Sequence, residues 1–185
     1  MDVFEKAIRY AVQAHAGTCR KGTYVPYILH PMEAATIAGT ITEDKEVLAA
    51  AVLHDVVEDA GVTEKELVDN FGVRVAGLVM AVSENKRKEI PEEDTWQVRK
   101  EETLEGLKTA SLEVQIICLA DKLSNMRSIA RDYKVLGDGL WERFNQKDKE
   151  KHKWYYGTIC DLLNDLDNTV AWEEYNGLCR AVFGK

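Results

Sequence analysis

The chain has 185 residues, 45% of them hydrophobic and 30% charged, with a formal net charge of −8. A chain of this length buries roughly 70% of its unfolded surface and is expected to form one domain. The negative balance works against a nucleic-acid polymer as partner, which needs a dense cationic surface, so none is expected, and no apolar run approaches the roughly 20 residues of a membrane span. The opening Met1-Asp2-Val3-Phe4-Glu5-Lys6 lacks the basic leader and long apolar stretch of a signal peptide, so a cytoplasmic protein is expected. Cys19, Cys118, Cys160 and Cys179 show no C-x-x-C spacing and are expected to be reduced thiols, mostly buried.

Apolar periodicity is helical nearly throughout, and no stretch alternates long enough for a convincing sheet. The first helix is predicted over about Asp2 to Ala16 and stops at Gly17. A loop from Gly17 to His30 carries Cys19-Arg20-Lys21-Gly22, and Pro31 marks the start of a second helix that ends near Gly39. The third helix, about Asp44 to Asp59, is apolar almost all round through Val47, Leu48, Ala50, Ala51, Val52 and Leu53, so it should be central. Thr63 with Glu66 forms a capping box, and Val62 and Leu67 have the spacing of a hydrophobic staple. The helix they open ends at Phe71-Gly72, and another runs from about Val73 to Asn85. The polar stretch from Asn85 to Asp94 reads as an exposed loop. Helices over about Thr95 to Ala110, Ser111 to Lys134, Asn145 to Leu166 and Val170 to Phe183 complete the chain.

Four residues stand out as metal-grade ligands: His30, the adjacent His54-Asp55, and Asp121. Two imidazoles and two carboxylates hold one divalent ion and leave coordination positions open for chemistry. On this helix, residues 54, 55, 58 and 59 are expected to fall within an arc of about 140°, with His54 stacked over Glu58 and Asp55 over Asp59. Burying His54 and Asp55 in so apolar a helix costs several kcal/mol unless both are satisfied. The spacing alone leaves open whether a metal or a hydrogen-bonded pair does so. The acidic pair Glu58-Asp59 at a helix C-terminus opposes the dipole, a broken local rule of the kind that marks functional sites.

The ordered pattern H…HD…D resembles that of the HD superfamily of metal-dependent phosphohydrolases. Longer strings are similar to the hydrolase domain of RelA/SpoT-type alarmone enzymes: Ala14-His15-Ala16-Gly17, Arg20-Lys21-Gly22, Pro26-Tyr27-Ile28-Leu29-His30-Pro31, Leu53-His54-Asp55-Val56-Val57-Glu58-Asp59, Phe71-Gly72 with Val79-Met80-Ala81-Val82-Ser83, and Leu119-Ala120-Asp121-Lys122-Leu123-Ser124-Asn125-Met126-Arg127. They span about residues 5 to 130, with C-terminal helices over about 140 to 183 beyond them. Many members have His where this chain has Ser124, which puts a contact behind the metal ligands in doubt. The length leaves no room for the synthetase and regulatory domains of the long members, so the chain looks like a small, stand-alone alarmone hydrolase.

The resemblance implies an all-α HD-domain helical bundle in which His30, His54, Asp55 and Asp121 hold one divalent ion, Mn²⁺ in this family. The donor set by itself is equally compatible with Fe²⁺, Co²⁺ or Zn²⁺. Glu58 and Asp59 are then the catalytic pair that positions or deprotonates water, and their crowding should push one pKa upward. Arg20 packs against the base and Lys21 reaches the phosphates, where the residues alone read as an exposed loop pair. Asn125 contacts the ribose and Ser128 a phosphate. Tyr155 is a further substrate-contact candidate, although an aromatic cluster at helical spacing also reads as core. One of Lys122 and Arg127 offsets substrate charge while the other pairs with surface acids. Lys86-Arg87-Lys88 reads as a solvated loop or as a collar attracting a phosphorylated substrate. His15 is expected to be structural and His152 exposed.

The expected activity is hydrolysis of (p)ppGpp, releasing pyrophosphate from the ribose 3′ position to give GDP or GTP. Two other readings stay open: an HD phosphohydrolase of another nucleotide, (p)ppApp or NADPH, and a non-catalytic nucleotide-binding or antitoxin-like module.

Overall fold

The computed structural model describes residues 2–87 and 89–184 and is all-α. Its helices are α1 (Val3–Ala14), α2 (Leu29–Ala38), α3 (Lys45–Leu53), α4 (Val56–Ala60), α5 (Glu64–Val82), α6 (Glu92–Leu107), α7 (Leu112–Leu136), α8 (Lys149–Leu162) and α9 (Val170–Phe183), with 3₁₀ turns at Gly137–Arg143 and Asn164–Leu166. Among the described residues, extended pairing is limited to an isolated antiparallel bridge between Cys19 and Pro26.

Helix starts follow side chains that satisfy otherwise unpaired N–H groups. Asp44 accepts from the backbone of Glu46 and Val47 at the head of α3, Ser111 from Val114 at α7, Asp148 from Glu150 at α8 and Thr169 from Trp172 at α9. The Thr63–Glu66 capping box forms at α5 as expected. Gly72, inside the span of α5, has φ +86° and ψ 166°, so the two predicted helices meet there in a bend that only glycine adopts without strain.

Three boundaries differ from the sequence expectation in ways that matter for the site. Helix α2 begins at Leu29, which places His30 in its first turn rather than at the end of a loop. Pro31 is still tolerated because the first-turn N–H groups have no helical acceptor. The third predicted helix is broken: α3 ends at Leu53, α4 starts at Val56, and Asp55 has φ −98° and ψ −3°, the sparsely populated bridge region common in active sites. The carbonyl of Ala51, which would accept the Asp55 N–H in an unbroken helix, takes the His54 ring at Nδ1 (2.8 Å). Finally, α8 starts at Lys149, later than expected.

Helix α3 is the centre, with Val47 through Leu53 buried and α1, α2, α5 and α7 packed around it. Helix α7 packs on α2 and α9, and α8 on α6 and α9. An aromatic cluster joins α6, α8, α9 and the Gly137–Arg143 turn, and His152 lies inside it. The His152 ring is stacked on Trp141 at 4.9 Å, is 2.8 Å from the Gln146 carbonyl, and is 5% exposed. The expectation of an exposed His152 is therefore corrected, because the register of α8 turns that position toward Trp96 and Trp141. Cys118, Cys160 and Cys179 are buried, Cys19 is exposed, and all four are free thiols. Among the described residues no helix is long and apolar enough to cross a membrane.

Candidate active site

The first turn of α2, the α3–α4 break and the middle of α7 converge. His30 Nε2 and His54 Nε2 face each other at 3.2 Å. Asp55 Oδ2 lies 2.9 Å from His54 Nε2 and 3.4 Å from His30 Nε2, and Asp121 Oδ1 lies 3.6 and 3.1 Å from the same two atoms. One ligand atom from each of His30, His54 and Asp121 falls within 4.8 Å of the others. Donors held about 2.0–2.2 Å from one cation stand roughly 3.0–3.5 Å apart, so this spacing suits a shared ion. The break after Leu53 makes the cluster possible, because adjacent residues of a continuous helix diverge by about 100°.

The second ring nitrogens orient the first. His54 Nδ1 donates to the Ala51 carbonyl, so the neutral ring presents its Nε2 lone pair to the cluster. Without a cation, burial disfavours the charged ring, but Asp55 and Asp121 outweigh it, hold its pKa well above the usual imidazole range and keep a proton at Nε2, which a cation would displace. His30 Nδ1 is 2.8 Å from Ser124 Oγ, whose hydroxyl donates to Glu33 Oε2 at 2.7 Å. With its proton given to Glu33, the serine oxygen accepts from His30 Nδ1–H, and Nε2 is again the lone pair. Ser124 thus takes up the contact that the resemblance left in doubt. Arg127 holds the other Glu33 oxygen at 3.0 Å and grips Glu174 of α9 through two N–H groups, so Arg127 is the cation that pairs with surface acids. Lys122 instead donates to Asp121 Oδ2 at 2.6 Å, and Tyr27 donates its hydroxyl to Asp55 Oδ2 at 2.7 Å. Two buried imidazoles able to turn Nε2 toward one point and two half-buried carboxylates, all oriented from behind, fit a divalent cation.

Burial pushes the Asp55 and Asp121 carboxyls up, but it is outweighed. His54 and His30 hold Asp55 well below its usual range, and Lys122 with both imidazoles does so for Asp121. Glu58 goes the other way. Burial, then the charge of Asp55, raises it to about 7, against the pull of the Glu84 N–H and Lys86. Its Oε1 accepts that N–H at 2.8 Å. Asp59 is ion-paired with Lys86, which also approaches Glu58 at 3.7 Å. Arg87 pairs with Glu102, and Lys88 lies outside the described residues.

Two clefts adjoin here. A cavity of about 210 Å³ holds His30, His54, Asp55, Glu58 and Asp121, and a second of about 270 Å³ holds Lys21, Asp59, Ser128, Asp132, Arg143 and Tyr156. Arg20, Tyr27, Lys86 and Asn125 line both, so the two clefts share a wall. Asn125 donates to Asp121 Oδ1 (2.6 Å) and accepts from Arg20 (2.7 Å), tying the ligand cluster to the second cleft. Lys21 reaches across to Asn145 at 2.5 Å. Gly22 (φ +71°) lets this loop close on Arg143, whose Cδ would be 3.2 Å from a Cβ there. His15 is buried against the Tyr27 ring, with Thr18 bonded to its carbonyl.

Tyr155 is the predicted contact that the fold does not bring to the cleft. It is 2% exposed, with the ammonium groups of Lys100 and Lys122 over its ring. Tyr156, next in the chain, is on the cleft wall, because helical rotation sends the two rings to different faces. Sequence reasoning also assigned no role to Tyr27, Ser124, Glu33 or Glu84. Glu33 had one signal, its place three residues after His30 on the same helical face.

The HD domain family profile matches residues 7–140. The chain is 32% identical over 132 residues to a GTP pyrophosphokinase of Myxococcus xanthus, covering 70% of this chain and 17% of that protein. It is 37% identical over 135 residues to the guanosine-3′,5′-bis(diphosphate) 3′-pyrophosphohydrolase MESH1 of Danio rerio, covering 70% of each. A solved structure described as a metazoan ortholog of SpoT that hydrolyzes ppGpp superposes with a TM-score of 0.78 at 28% identity, covering 97% of this chain and 95% of that one. The chain spans about one sixth (17%) of the length of the long curated relatives it matches.

Proposed function

Since this chain belongs to the HD-domain family, we propose that it is a cytoplasmic, metal-dependent hydrolase of the alarmone (p)ppGpp, releasing pyrophosphate from the ribose 3′ position to leave GDP or GTP. The observation that carries this reading is the meeting of the two clefts: a four-residue ligand cluster beside a carboxyl raised to about 7 adjoins, across Arg20 and Asn125, a second cleft walled by Lys21, Ser128 and Tyr156. The likeness to the Danio rerio 3′-pyrophosphohydrolase and to the metazoan SpoT ortholog that hydrolyzes ppGpp supports it.

His30, His54, Asp55 and Asp121 would hold the divalent ion, proposed as Mn²⁺, which when bound supplies Lewis-acid polarisation of a phosphoryl oxygen. Glu58, with a pKa near the working pH, takes the proton of the attacking water. Asp59, fixed by Lys86, orients that water. Attack at the phosphorus esterified to the ribose breaks its bond to the 3′ oxygen, and the nucleoside regains a hydroxyl there. Arg20 lies against the base, Lys21 and Ser128 meet phosphate oxygens, and Asn125 holds the ribose. Lys86 and Lys122, both at the reacting end, offset charge that develops on the phosphoryl group.

The test is a purified-protein panel of ppGpp, pppGpp, ppApp and NADPH with Mn²⁺, following product by chromatography. Conversion of ppGpp to GDP and pyrophosphate is expected. Survival of ppGpp while another substrate is consumed refutes the assignment.

A further inference from the structure

Helix α7 acts as a ruler along the substrate. Asp121, Asn125, Ser128 and Asp132 recur at helical spacing on one face, and Asp132 stands about 16 Å along the axis from Asp121. Asp121 is at the ligand cluster, while Asn125, Ser128 and Asp132 line the second cleft in that order. A nucleoside 3′-diphosphate laid along this face, with its phosphates at Asp121 and its ribose at Asn125, brings the far edge of its base to Asp132.

The side chain there is built and held. Asp132 is 23% exposed, and it accepts from Arg143 at 3.2 Å through Oδ2 and from Arg131 at 3.0 Å through Oδ1. Arg143 is itself confined against the loop at Gly22. A carboxylate offers about four acceptor positions, so one on each oxygen is left. The cleft walls beside it are the rings of Tyr27, Phe144 and Tyr156, surfaces suited to stacking a base.

From this arrangement we infer that Asp132 determines base specificity, its two carboxylate oxygens accepting the N1–H and 2-amino N–H donors that guanine presents side by side. Adenine presents an acceptor at N1 where guanine has a donor, so its lone pair meets a carboxylate and neither bond forms. The inference rests on the alarmone-hydrolase reading and deepens it, making the guanosine compounds the preferred substrates.

The experiment measures kcat/KM for release of the 3′-diphosphate from guanosine, inosine, adenosine and xanthosine 3′-diphosphate 5′-diphosphates, with Mn²⁺, for wild type and Asp132→Asn. In the wild type, inosine, which lacks the 2-amino group, is expected to fall about 10-fold below guanosine, and adenosine about 10- to 100-fold below, mostly through KM. In Asp132→Asn the amide oxygen accepts N1–H and the amide nitrogen donates to the 2-carbonyl of xanthine. The xanthosine-to-guanosine ratio should therefore rise at least about 10-fold, a gain that damaged folding does not produce. Equal wild-type rates on guanosine and adenosine, or a ratio unmoved by the substitution, overturn the inference while leaving the hydrolase reading intact. The wild-type series decides by itself should the variant not fold. Turnover of none of the four removes both.

Discussion

Replacing Ser124 with alanine should weaken cation binding 10- to 100-fold, and the structure shows where that cost arises. A ligand role for His30 through Nε2 requires its proton on Nδ1, and Ser124 Oγ is the acceptor for that proton at 2.8 Å. The serine hydroxyl is committed to Glu33 at 2.7 Å, so it presents only a lone pair to the ring. Alanine leaves a buried N–H without an acceptor at a cost of about 1–3 kcal/mol. The cation-free protein escapes much of that cost by moving the ring proton to Nε2, where Asp55 and Asp121 accept it. The penalty therefore falls on the bound state and is read as affinity, in line with the 10- to 100-fold losses usual for residues behind metal ligands. The assay is calorimetric titration of chelator-stripped protein with Mn²⁺, paired with a thermal melt of the metal-free variant that separates binding loss from misfolding. A metal-free melt like that of the wild type, together with Mn²⁺ affinity within about twofold of the wild type, would refute the orienting role.

Glu58→Gln should lower turnover about 10²- to 10⁴-fold while cation and nucleotide still bind. Wild-type kcat/KM should rise with pH through a limb at or below about 7, since Glu58 sits near 7 and a bound cation lowers it further; a limb that persists in the variant assigns the base elsewhere. In cation-free protein the sign for stability is opposite. The folded state keeps the Glu58 proton up to about pH 7 and the unfolded chain releases it near 4.5, so stability should fall from pH 4.5 to 7 relative to Glu58→Gln, as checked by urea melts. Chelation should abolish turnover and, against a cation at 100 times its Kd, remove about 2.7 kcal/mol, or roughly 5–10 °C in Tm for a chain of this size; an unchanged melt contradicts a structural hold on the ion. Gly72→Ala should cost about 1–3 kcal/mol in denaturant melts. Nothing lies within 4 Å of the added methyl, so the whole effect is backbone strain at φ +86°, and an unaltered midpoint denies that bend.

Much of the architecture was legible because its causes are local. Periodicity located the helices, the Thr63–Glu66 box and Ser111 marked helix starts, and Gly72 marked a break. Candidate ligands were legible because polar residues in an otherwise apolar helix demand satisfaction, as His54-Asp55 does among Val47 to Leu53. The break between those two residues was not legible. Only Asp55 leaves the usual helical φ and ψ there, and the bonds that flank the break run to the Ala51 carbonyl and the Tyr27 hydroxyl, the latter from a loop that periodicity cannot place in three dimensions.

The sequence by itself determined an all-α chain with a set of candidate metal ligands and an adjacent acidic pair, because residue type and local spacing are properties of the chain alone. Only the tertiary structure decided which side chains stand behind and beside them: Ser124 bonded to His30, Tyr155 buried and Tyr156 on the cleft wall, Asp132 placed at the far end of the cleft. Those assignments depend on distances between segments up to about a hundred residues apart, such as the 94 from His30 to Ser124. Side-chain direction at a helix crossing is fixed by packing on neighbouring helices, which no single stretch of sequence contains.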